Sequence, residues 1–262
     1  MGFGLSHQLD RHVCAANGRT EIALIDAGVG LGLERIHNDM RTDGFDLTKL
    51  KYVLLIHAHA DRAVGCKQWI ERFGIRVFIS PEGAKFVRAG DESGISLTVA
   101  KGAGFYPQDY HFQSFPVDRE LREGDMVRVG DCELRVTVIE APGHCSGMLS
   151  LLSADGKTYL FSVRIFHGGK ILLINVYDRD WGEYERSVRK IAGPSVDALL
   201  PGHLCVVPGG GQGHIQKASD CPTAWLAWFC LPTSLECPWR CSALMDLRLH
   251  NARGGVRPNG PD

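Results

Sequence analysis

The chain has 262 residues, 44% of them hydrophobic, and a formal net charge of −1 at pH 7. This length suits one large α/β domain or two small ones. The balanced charge excludes a strongly positive surface potential over the whole protein, of the kind that attracts nucleic acid. No apolar stretch ahead of the C-terminal region is long enough to span a membrane, and the N-terminus lacks the apolar core of a signal peptide. We therefore expect a cytoplasmic protein with a small-molecule substrate and with neither nucleic acid nor a membrane as partner, its oligomeric state left open.

Apolar periodicity predicts strands and helices that alternate along the chain. The predicted strands are Glu21–Ile25, Tyr52–Ile56, Arg76–Ile79, Met126–Val129, Cys132–Glu140, Leu149–Ser153, Thr158–Ser162, Ile171–Ile174 and Ala198–Leu200. The predicted helices are Leu33–Thr42, Ala63–Phe73, Pro81–Ala89 and Trp181–Ile191. Strands followed by helices, twice over, indicate two β-sheets packed together with helices outside.

The second predicted strand leads directly into a loop of sequence HAHADR, from His57 to Arg62. In an extended segment alternate residues point the same way, so His57, His59 and Asp61 can converge. Neutral imidazole and carboxylate are ligands of divalent metals such as zinc, whereas Arg62 stays protonated and cannot ligate. The loop predicts a metal site; the alternative is a set of solvated polar residues at a strand end.

Three other predicted strands end in turns that contain glycine. These turns are Asp26–Gly30, Pro142–Gly147 and Pro201–His203. The last two present a histidine, His144 or His203, directly after the glycine. Each of these histidines is a further candidate for the metal site.

The loop and the three turns, in this order, resemble the metallo-β-lactamase superfamily over about residues 26–214. The resemblance implies an α/β fold of the αββα type, a sandwich of two mixed β-sheets with helices on the outer faces, here assigned to residues 1–218. It also implies that His57, His59 and His144 bind a first zinc ion, and that Asp61 and His203 are ligands of a second.

Two positions depart from the pattern that the resemblance implies. Most members have a histidine where Arg62 ends the loop, and an aspartate that bridges both ions follows the strand matched by Thr158–Ser162. Here that strand is followed by Val163 and Arg164. Because two cations within about 4 Å need a bridging anion, we expect one bound zinc ion and a weak or empty second site. Asp178 and Asp180 remain alternative sources of a carboxylate.

Two more residues are predicted to line the site. His167 lies close to the expected metal edge. Cys145 follows His144 directly, so contact with the metal itself stays open, and the alternative is a small buried thiol. The aromatic-rich stretch Gly94–Gln113 is either a border of the site mouth or an ordinary surface loop, and His111 within it is interpreted as a plain loop histidine.

Residues 219–262 form an atypical C-terminal tail. The tail holds four of the nine cysteines, at spacings that fit no paired zinc module, and its periodicity is poor. We interpret it as unstructured or non-native, such as translation in a shifted reading frame. The alternative is a divergent hydrophobic docking segment for a partner.

The expected activity is zinc-dependent hydrolysis, with metal-bound hydroxide attacking an ester, thioester, lactone or lactam carbonyl. Asp61 would orient the attacking water, and Arg62 would hold Asp61 or attract a substrate carboxylate. The alternative is a catalytically impaired member of the fold that acts as a binding protein or is a damaged reading frame. The absence of a basic cluster disfavours a nuclease, and the missing bridging carboxylate disfavours a di-iron enzyme.

Overall fold

The computed structural model of the chain describes residues 6–131, 135–154, 156–163, 165–171 and 180–220. Within these ranges the strands are β1 (Cys14–Asn17), β2 (Ile22–Ile25), β3 (Leu50–Leu54), β4 (Arg76–Ile79), β5 (Arg119–Glu120), β6 (Met126–Arg128), β7 (Arg135–Glu140), β8 (Leu149–Ala154), β9 (Thr158–Ser162) and β10 (Ala198–Pro201). The α-helices are α1 (Leu33–Thr42), α2 (Ala60–Ala63), α3 (Cys66–Phe73), α4 (Pro81–Ala89), α5 (Leu97–Gly102), α6 (Trp181–Ile191) and α7 (Gly211–Asp220). Short 3-10 helices lie at Leu47–Lys49 and His167–Gly169.

The strands form two mixed sheets of five strands each. In the first sheet, of order β1-β2-β3-β4-β5, the β1–β2 pair is antiparallel and the other pairs are parallel. In the second sheet, of order β10-β9-β8-β7-β6, the β10–β9 pair is parallel and the other pairs are antiparallel. Two mixed sheets were predicted, and the structure confirms them.

Alternate residues of each strand divide between the two faces of its sheet. In β3, Tyr52 and Leu54 join the apolar layer between the sheets, whereas Val53 packs in an outer layer with residues of α1, α3 and α4. In β9, Phe161 joins the central layer and Leu160 packs with residues of α6 and α7. The three apolar layers, one between the sheets and one on each outer face, confirm the αββα sandwich.

Local capping signals account for helices whose predicted bounds are confirmed. Ser80 Oγ accepts a hydrogen bond from the first turn of α4 at 3.2 Å, Pro81 opens that turn, and Gly90 follows the helix with φ 68°. Asp180 accepts a hydrogen bond from the Glu183 N–H at 2.8 Å and so caps α6. These short-range contacts are visible in the sequence, so the prediction of both helices needs no tertiary information.

The predicted helix Ala63–Phe73 is instead two helices, α2 and α3, separated by Val64 and Gly65. A Cβ on Gly65 would lie 2.3 Å from the carbonyl oxygen of Ala27, and the Gly65 N–H donates to the carbonyl of Gly28 at 2.8 Å. The helical segment therefore breaks where it presses against the turn that follows β2. This contact joins residues far apart in sequence, and helical periodicity does not reveal it.

Two further differences concern the end of β3 and the stretch Gly94–Gln113. Strand β3 ends at Leu54, two residues before the predicted end, because the Ile56 N–H donates to the carboxylate of Asp26 at 2.9 Å and not to a neighbouring strand. The stretch Gly94–Gln113, for which no helix was predicted, contains the helix Leu97–Gly102.

Helix α7 ends at Asp220, so the predicted tail begins inside it, and residues 221–262 lie outside the described residues. Arg164 and Asp178, whose charges bear on the second metal site, lie outside them as well. In the described part of the chain, no helix combines the length and the apolar character needed to cross a membrane.

Candidate metal centre

Two histidine-bearing segments meet where the two sheets come together. Strand β3 of the first sheet leads to His57, and β7 of the second sheet leads to the turn that carries His144. The N–H of Leu149, the first residue of β8, donates to the carbonyl of Ile56 at 2.8 Å. This hydrogen bond joins the second sheet to the residue directly before His57, so the loop and the turn approach each other.

The turn that carries His144 depends on a glycine with a left-handed backbone. Gly143 has φ 123°, and a Cβ there would lie 2.4 Å from the backbone nitrogen of Tyr184 in α6. The carbonyl of Gly143 also accepts a hydrogen bond from the Asp180 N–H at 3.0 Å. The start of α6 therefore holds the turn in place, and a glycine is needed for that close approach.

Four side chains from the loop and the turn form one cluster. Their potential ligand atoms all lie within 4.8 Å of one another, and the residues are His57, His59, His144 and Cys145. The Nε2 of His144 lies 3.2 Å from the Nδ1 of His59. Two nitrogens bound to one tetrahedral zinc ion are about 3.3 Å apart, so this pair already has nearly the required spacing. The three histidines predicted for the first site come together, and Cys145 joins them.

Burial prepares His57 for metal binding. His57 is 2% exposed. Burial, the neighbouring His59 and then Arg62 lower the pKa of His57 well below its ordinary value, so the imidazole is neutral. Its Nδ1 has no hydrogen-bond partner among the described residues, and a buried polar atom without a partner is costly. The donor set and the burial fit a divalent metal such as zinc.

Asp61 lies outside this four-residue cluster. The chain turns into α2 directly after His59, so the extended segment predicted through Asp61 ends at His59. The Oδ2 of Asp61 accepts a hydrogen bond from the Nε of Arg11 at 2.8 Å. Burial favours a higher pKa for Asp61, but the positive charges of Arg11 and Arg62 outweigh it and hold the pKa well below its ordinary value. Asp61 is thus an ionised carboxylate that already has a cationic partner.

Arg62 pairs with Asp26, and the predicted pairing with Asp61 is wrong. Its Nη1 donates to the Asp26 carboxylate, and the two side chains are 0% and 2% exposed. A Cβ on Gly202 would lie 1.9 Å from the Nη2 of Arg62, so the guanidinium lies directly against the Pro201–His203 turn. The helical turn of α2 directs Arg62 inward, where a buried cation requires an anion in contact. Arg62 therefore holds the turn that begins at Asp26 and the Pro201–His203 turn in fixed positions relative to each other.

His203 lies beside Asp61 at the same end of the sandwich. The His203 Nε2 and the Asp61 Oδ2 are 3.8 Å apart. Burial, followed by the positive charges of Arg11 and Arg62, lowers the pKa of His203 well below its ordinary value. The imidazole is therefore neutral at pH 7. Both residues predicted for the second metal site are present side by side, with two guanidinium groups close to them.

The N-terminal segment completes this region. The His12 N–H donates to the carbonyl of Gly202 at 3.0 Å, and the His12 Nδ1 lies 2.8 Å from the carbonyl oxygen of Pro201. These contacts place the neighbouring Arg11 next to Asp61. Sequence reasoning missed Arg11, since no motif surrounds it and 50 residues separate it from its partner.

Tyr106 is a second residue near the site that sequence reasoning did not identify. Its side chain is buried, its hydroxyl has no hydrogen-bond partner in the described part of the chain, and its ring lies 5.3 Å from that of Tyr110. Burial and then the negative charge of Asp61 raise the pKa of Tyr106. The aromatic-rich stretch predicted as either a site border or a surface loop thus places a tyrosine close to Asp61.

His167 contacts helix α7, and Asp180 caps helix α6. His167 is exposed, its ring is 4.8 Å from that of His214 in α7, and the Gly168 N–H donates to the His214 Nδ1 at 2.7 Å. The lining role of His167 stays a prediction. The carboxylate of Asp180 caps α6, so the position of this side chain is explained by the helix and requires no metal.

Comparison with known proteins gives a family and a set of structural neighbours. The family model for the metallo-beta-lactamase superfamily matches residues 15–203. The subclass B3 metallo-beta-lactamase BJP-1 of Bradyrhizobium japonicum superposes with a TM-score of 0.62 at 20% identity, over 80% of this chain and 83% of that one. FEZ-1 from Legionella gormanii superposes with a TM-score of 0.60 at 20% identity, over 80% and 87%.

A metallo-beta-lactamase from Cronobacter sakazakii with a HARLDQ motif superposes with a TM-score of 0.58 at 25% identity, over 72% of this chain and 70% of that one. No curated protein sequence matches the chain. The family model covers well over half of the chain, including the loop and both turns that bear histidines. The chain therefore belongs to the metallo-β-lactamase superfamily.

Proposed function

We propose that this chain is a zinc-dependent hydrolase that binds one zinc ion and cleaves an ester, thioester, lactone or lactam. The observation that carries the proposal is the convergence of His57, His59 and His144 in one cluster. Three neutral imidazoles are the donor set of a well-known type of catalytic zinc site. A zinc ion held by these three residues would supply a nucleophilic water at neutral pH and would polarise the substrate carbonyl.

A single ion is favoured by the charges around the second set of ligands. Asp61 accepts a hydrogen bond from Arg11, and the charges of Arg11 and Arg62 lower the pKa values of both Asp61 and His203. A second divalent cation at Asp61 and His203 would be repelled by both guanidinium groups in a region of reduced dielectric. We therefore expect the second site to be weak, and this supports the proposal of one ion.

The residues around the ion have separable roles in this proposal. Asp61, kept ionised by its cationic neighbours, accepts a hydrogen bond from the attacking water or takes its proton. His203 is neutral and lies beside Asp61, so it donates a hydrogen bond to the leaving group or to the developing oxyanion. Arg62 has no exposed surface and acts as a positioning residue through Asp26.

β-Lactams are the first substrates to test, because the structural neighbours are described as β-lactamases. Lactones and thioesters follow, since the same attack on a carbonyl carbon opens either bond. A small molecule is favoured over nucleic acid because the chain carries a formal charge of only −1.

The decisive experiment is the metal content of the folded full-length chain, measured by elemental mass spectrometry after incubation with zinc and removal of the excess. We expect about one zinc ion per chain, with loss of binding in His59→Ala and retention in the control His111→Ala, whose side chain is 81% exposed. About two ions would overturn the single-ion assignment. No bound zinc would overturn the proposal and favour the alternative of a binding protein on a hydrolase fold.

A further inference from the structure

We propose that Cys145 is a fourth protein ligand of the metal ion, so that the site is built from three histidines and one cysteine. The inference rests on the proposed metal site and specifies its coordination. Cys145 lies inside the superfamily match over residues 15–203, and the sequence alone left open whether it lines the site, touches the metal or is a small buried thiol.

The position of Cys145 is compatible with ligation. Cys145 directly follows His144 in the turn after β7, and its side chain is 4% exposed. Its sulfur lies within 4.8 Å of the ligand atoms of the three histidines. A zinc ion bound to sulfur at about 2.3 Å and to nitrogen at about 2.05 Å separates these atoms by about 3.6 Å. Side-chain movements of about 1 Å therefore close the set around one ion.

Charge balance gives the second argument. Three neutral histidines leave both charges of a divalent cation uncompensated. The carboxylates of Asp61 and Asp26 are already paired, with Arg11 and Arg62 respectively. A thiol loses its proton to solvent when it binds a metal, so Cys145 adds one negative charge directly at the ion. Cys145 also packs among apolar residues of the central layer, where an uncompensated cation is most costly.

The chemistry of the donor set then differs from that of a three-histidine site. Four protein ligands give a closed tetrahedron, as in structural zinc sites. With Cys145 bound, water or substrate would have to bind as a fifth ligand or in place of the thiolate. A thiolate ligand also shifts preference toward ions that bind sulfur well.

Cobalt is the probe that tests the proposal, because Co²⁺ bound to thiolate absorbs in the near ultraviolet by charge transfer, whereas its d–d bands appear with any tetrahedral donor set. Metal-free full-length chain is titrated with one equivalent of Co²⁺ as wild type, Cys145→Ser and Cys66→Ser. Cys66 is a matched control because its thiol, at the start of α3, is fully buried in the outer apolar layer and lies outside the cluster.

We expect the charge-transfer band in the wild type and in Cys66→Ser, and its loss in Cys145→Ser with the d–d bands retained. Bands of d–d type without charge transfer in the wild type, or charge transfer undiminished in Cys145→Ser, would overturn the role of Cys145 and leave the proposed zinc hydrolase standing. Absence of all cobalt bands in the wild type would overturn both.

A measurement on the wild type alone covers the case in which Cys145→Ser does not fold. X-ray absorption of the chain loaded with one equivalent of zinc separates a sulfur shell at about 2.3 Å from nitrogen at about 2.0–2.1 Å. We expect one sulfur per zinc. A shell of nitrogen and oxygen alone would overturn the assignment.

Discussion

Arg62 and Asp26 form an ion pair from which solvent is almost entirely excluded, with side chains that are 0% and 2% exposed. Asp26 also accepts a hydrogen bond from the Ile56 N–H at 2.9 Å, so the same carboxylate holds the residue directly before His57. Burial raises the pKa of Asp26, and the Arg62 guanidinium opposes that rise. The pair therefore connects the end of β2, the loop from His57 to Arg62 and the Pro201–His203 turn.

Removal of one partner of this pair should be much more damaging than removal of both. We expect Asp26→Asn to lower the free energy of unfolding by about 3–5 kcal/mol, because an uncompensated cation stays buried. The double variant Asp26→Asn/Arg62→Met should recover part of that loss. Urea unfolding followed by circular dichroism measures both.

An exposed pair serves as the control for this experiment. Arg35 and Asp39 form an i,i+4 ion pair at 3.0 Å on α1, and Arg35→Ala should change the free energy of unfolding by no more than about 0.5 kcal/mol. Equal effects of Asp26→Asn and Arg35→Ala would show that the buried pair has no special importance.

Arg11 should control how many metal ions bind. Arg11→Gln removes the cation hydrogen-bonded to Asp61 and lowers the repulsion felt by a cation at Asp61 and His203. We expect zinc bound at saturation to rise above one ion per chain, measured by isothermal titration calorimetry and elemental analysis. Arg19→Gln is the control, since Arg19 is 65% exposed and lies 4.0 Å from its partner. An unchanged stoichiometry in Arg11→Gln would count against this explanation.

His37 should make stability depend on pH. Burial, followed by the charge of Arg72, lowers the pKa of His37 from 6.5 to about 4, and its ring packs edge-on against Trp69 and Phe73. Because the folded state favours the neutral imidazole, the contribution of His37 is complete above pH 6.5. It is lost progressively as the pH falls toward 4, by about 3 kcal/mol in total.

The measurement is the free energy of unfolding in urea at pH 7 and pH 4.5, for wild type and His37→Leu. The variant should lose less stability between these values than the wild type does. His111→Leu, at an exposed position, should retain the full wild-type dependence. Parallel pH profiles for wild type and His37→Leu would contradict the assignment.

Gly143 should be indispensable for metal binding. An alanine there has a Cβ 2.4 Å from the Tyr184 nitrogen and must adopt φ 123°. We expect Gly143→Ala to lower the free energy of unfolding by about 2–4 kcal/mol and to weaken zinc binding, because the turn carries His144. Gly102→Ala is the control, because a Cβ there meets nothing within 4 Å, and it should leave zinc affinity unchanged. A similar loss of zinc affinity in Gly102→Ala would show that the effect of Gly143→Ala is not specific to the turn that carries His144.

Much of the fold could be predicted from local patterns. Helices such as α4 and α6 carry their own capping residues, Ser80 and Asp180, and the strands that lead to the metal loop and turns are apolar runs. The split between α2 and α3 could not be predicted, because it follows from the contact of Gly65 with Ala27 across the fold.

The candidate site divides in the same way. His57, His59 and His144 are predictable, since each follows a strand and matches a motif. The positions of Arg11 and Arg62 could not be predicted. Arg11 belongs to no motif, and α2 directs Arg62 to Asp26 and away from Asp61. Helix α2 begins at Ala60, so the chain is no longer extended between His59 and Asp61. Alternate residues therefore stop pointing the same way before Asp61 is reached.

The hydrogen bond between His12 and Gly202 has a consequence for biosynthesis. The ribosome adds about 5–20 residues per second, so roughly 10–40 s separate the synthesis of Arg11 from that of His203. During that interval Asp61 has no completed neighbourhood, and His57 and His59 await His144. The N-terminal segment can therefore close over the Pro201–His203 turn only late in biosynthesis, after the His57, His59 and His144 positions have all been made.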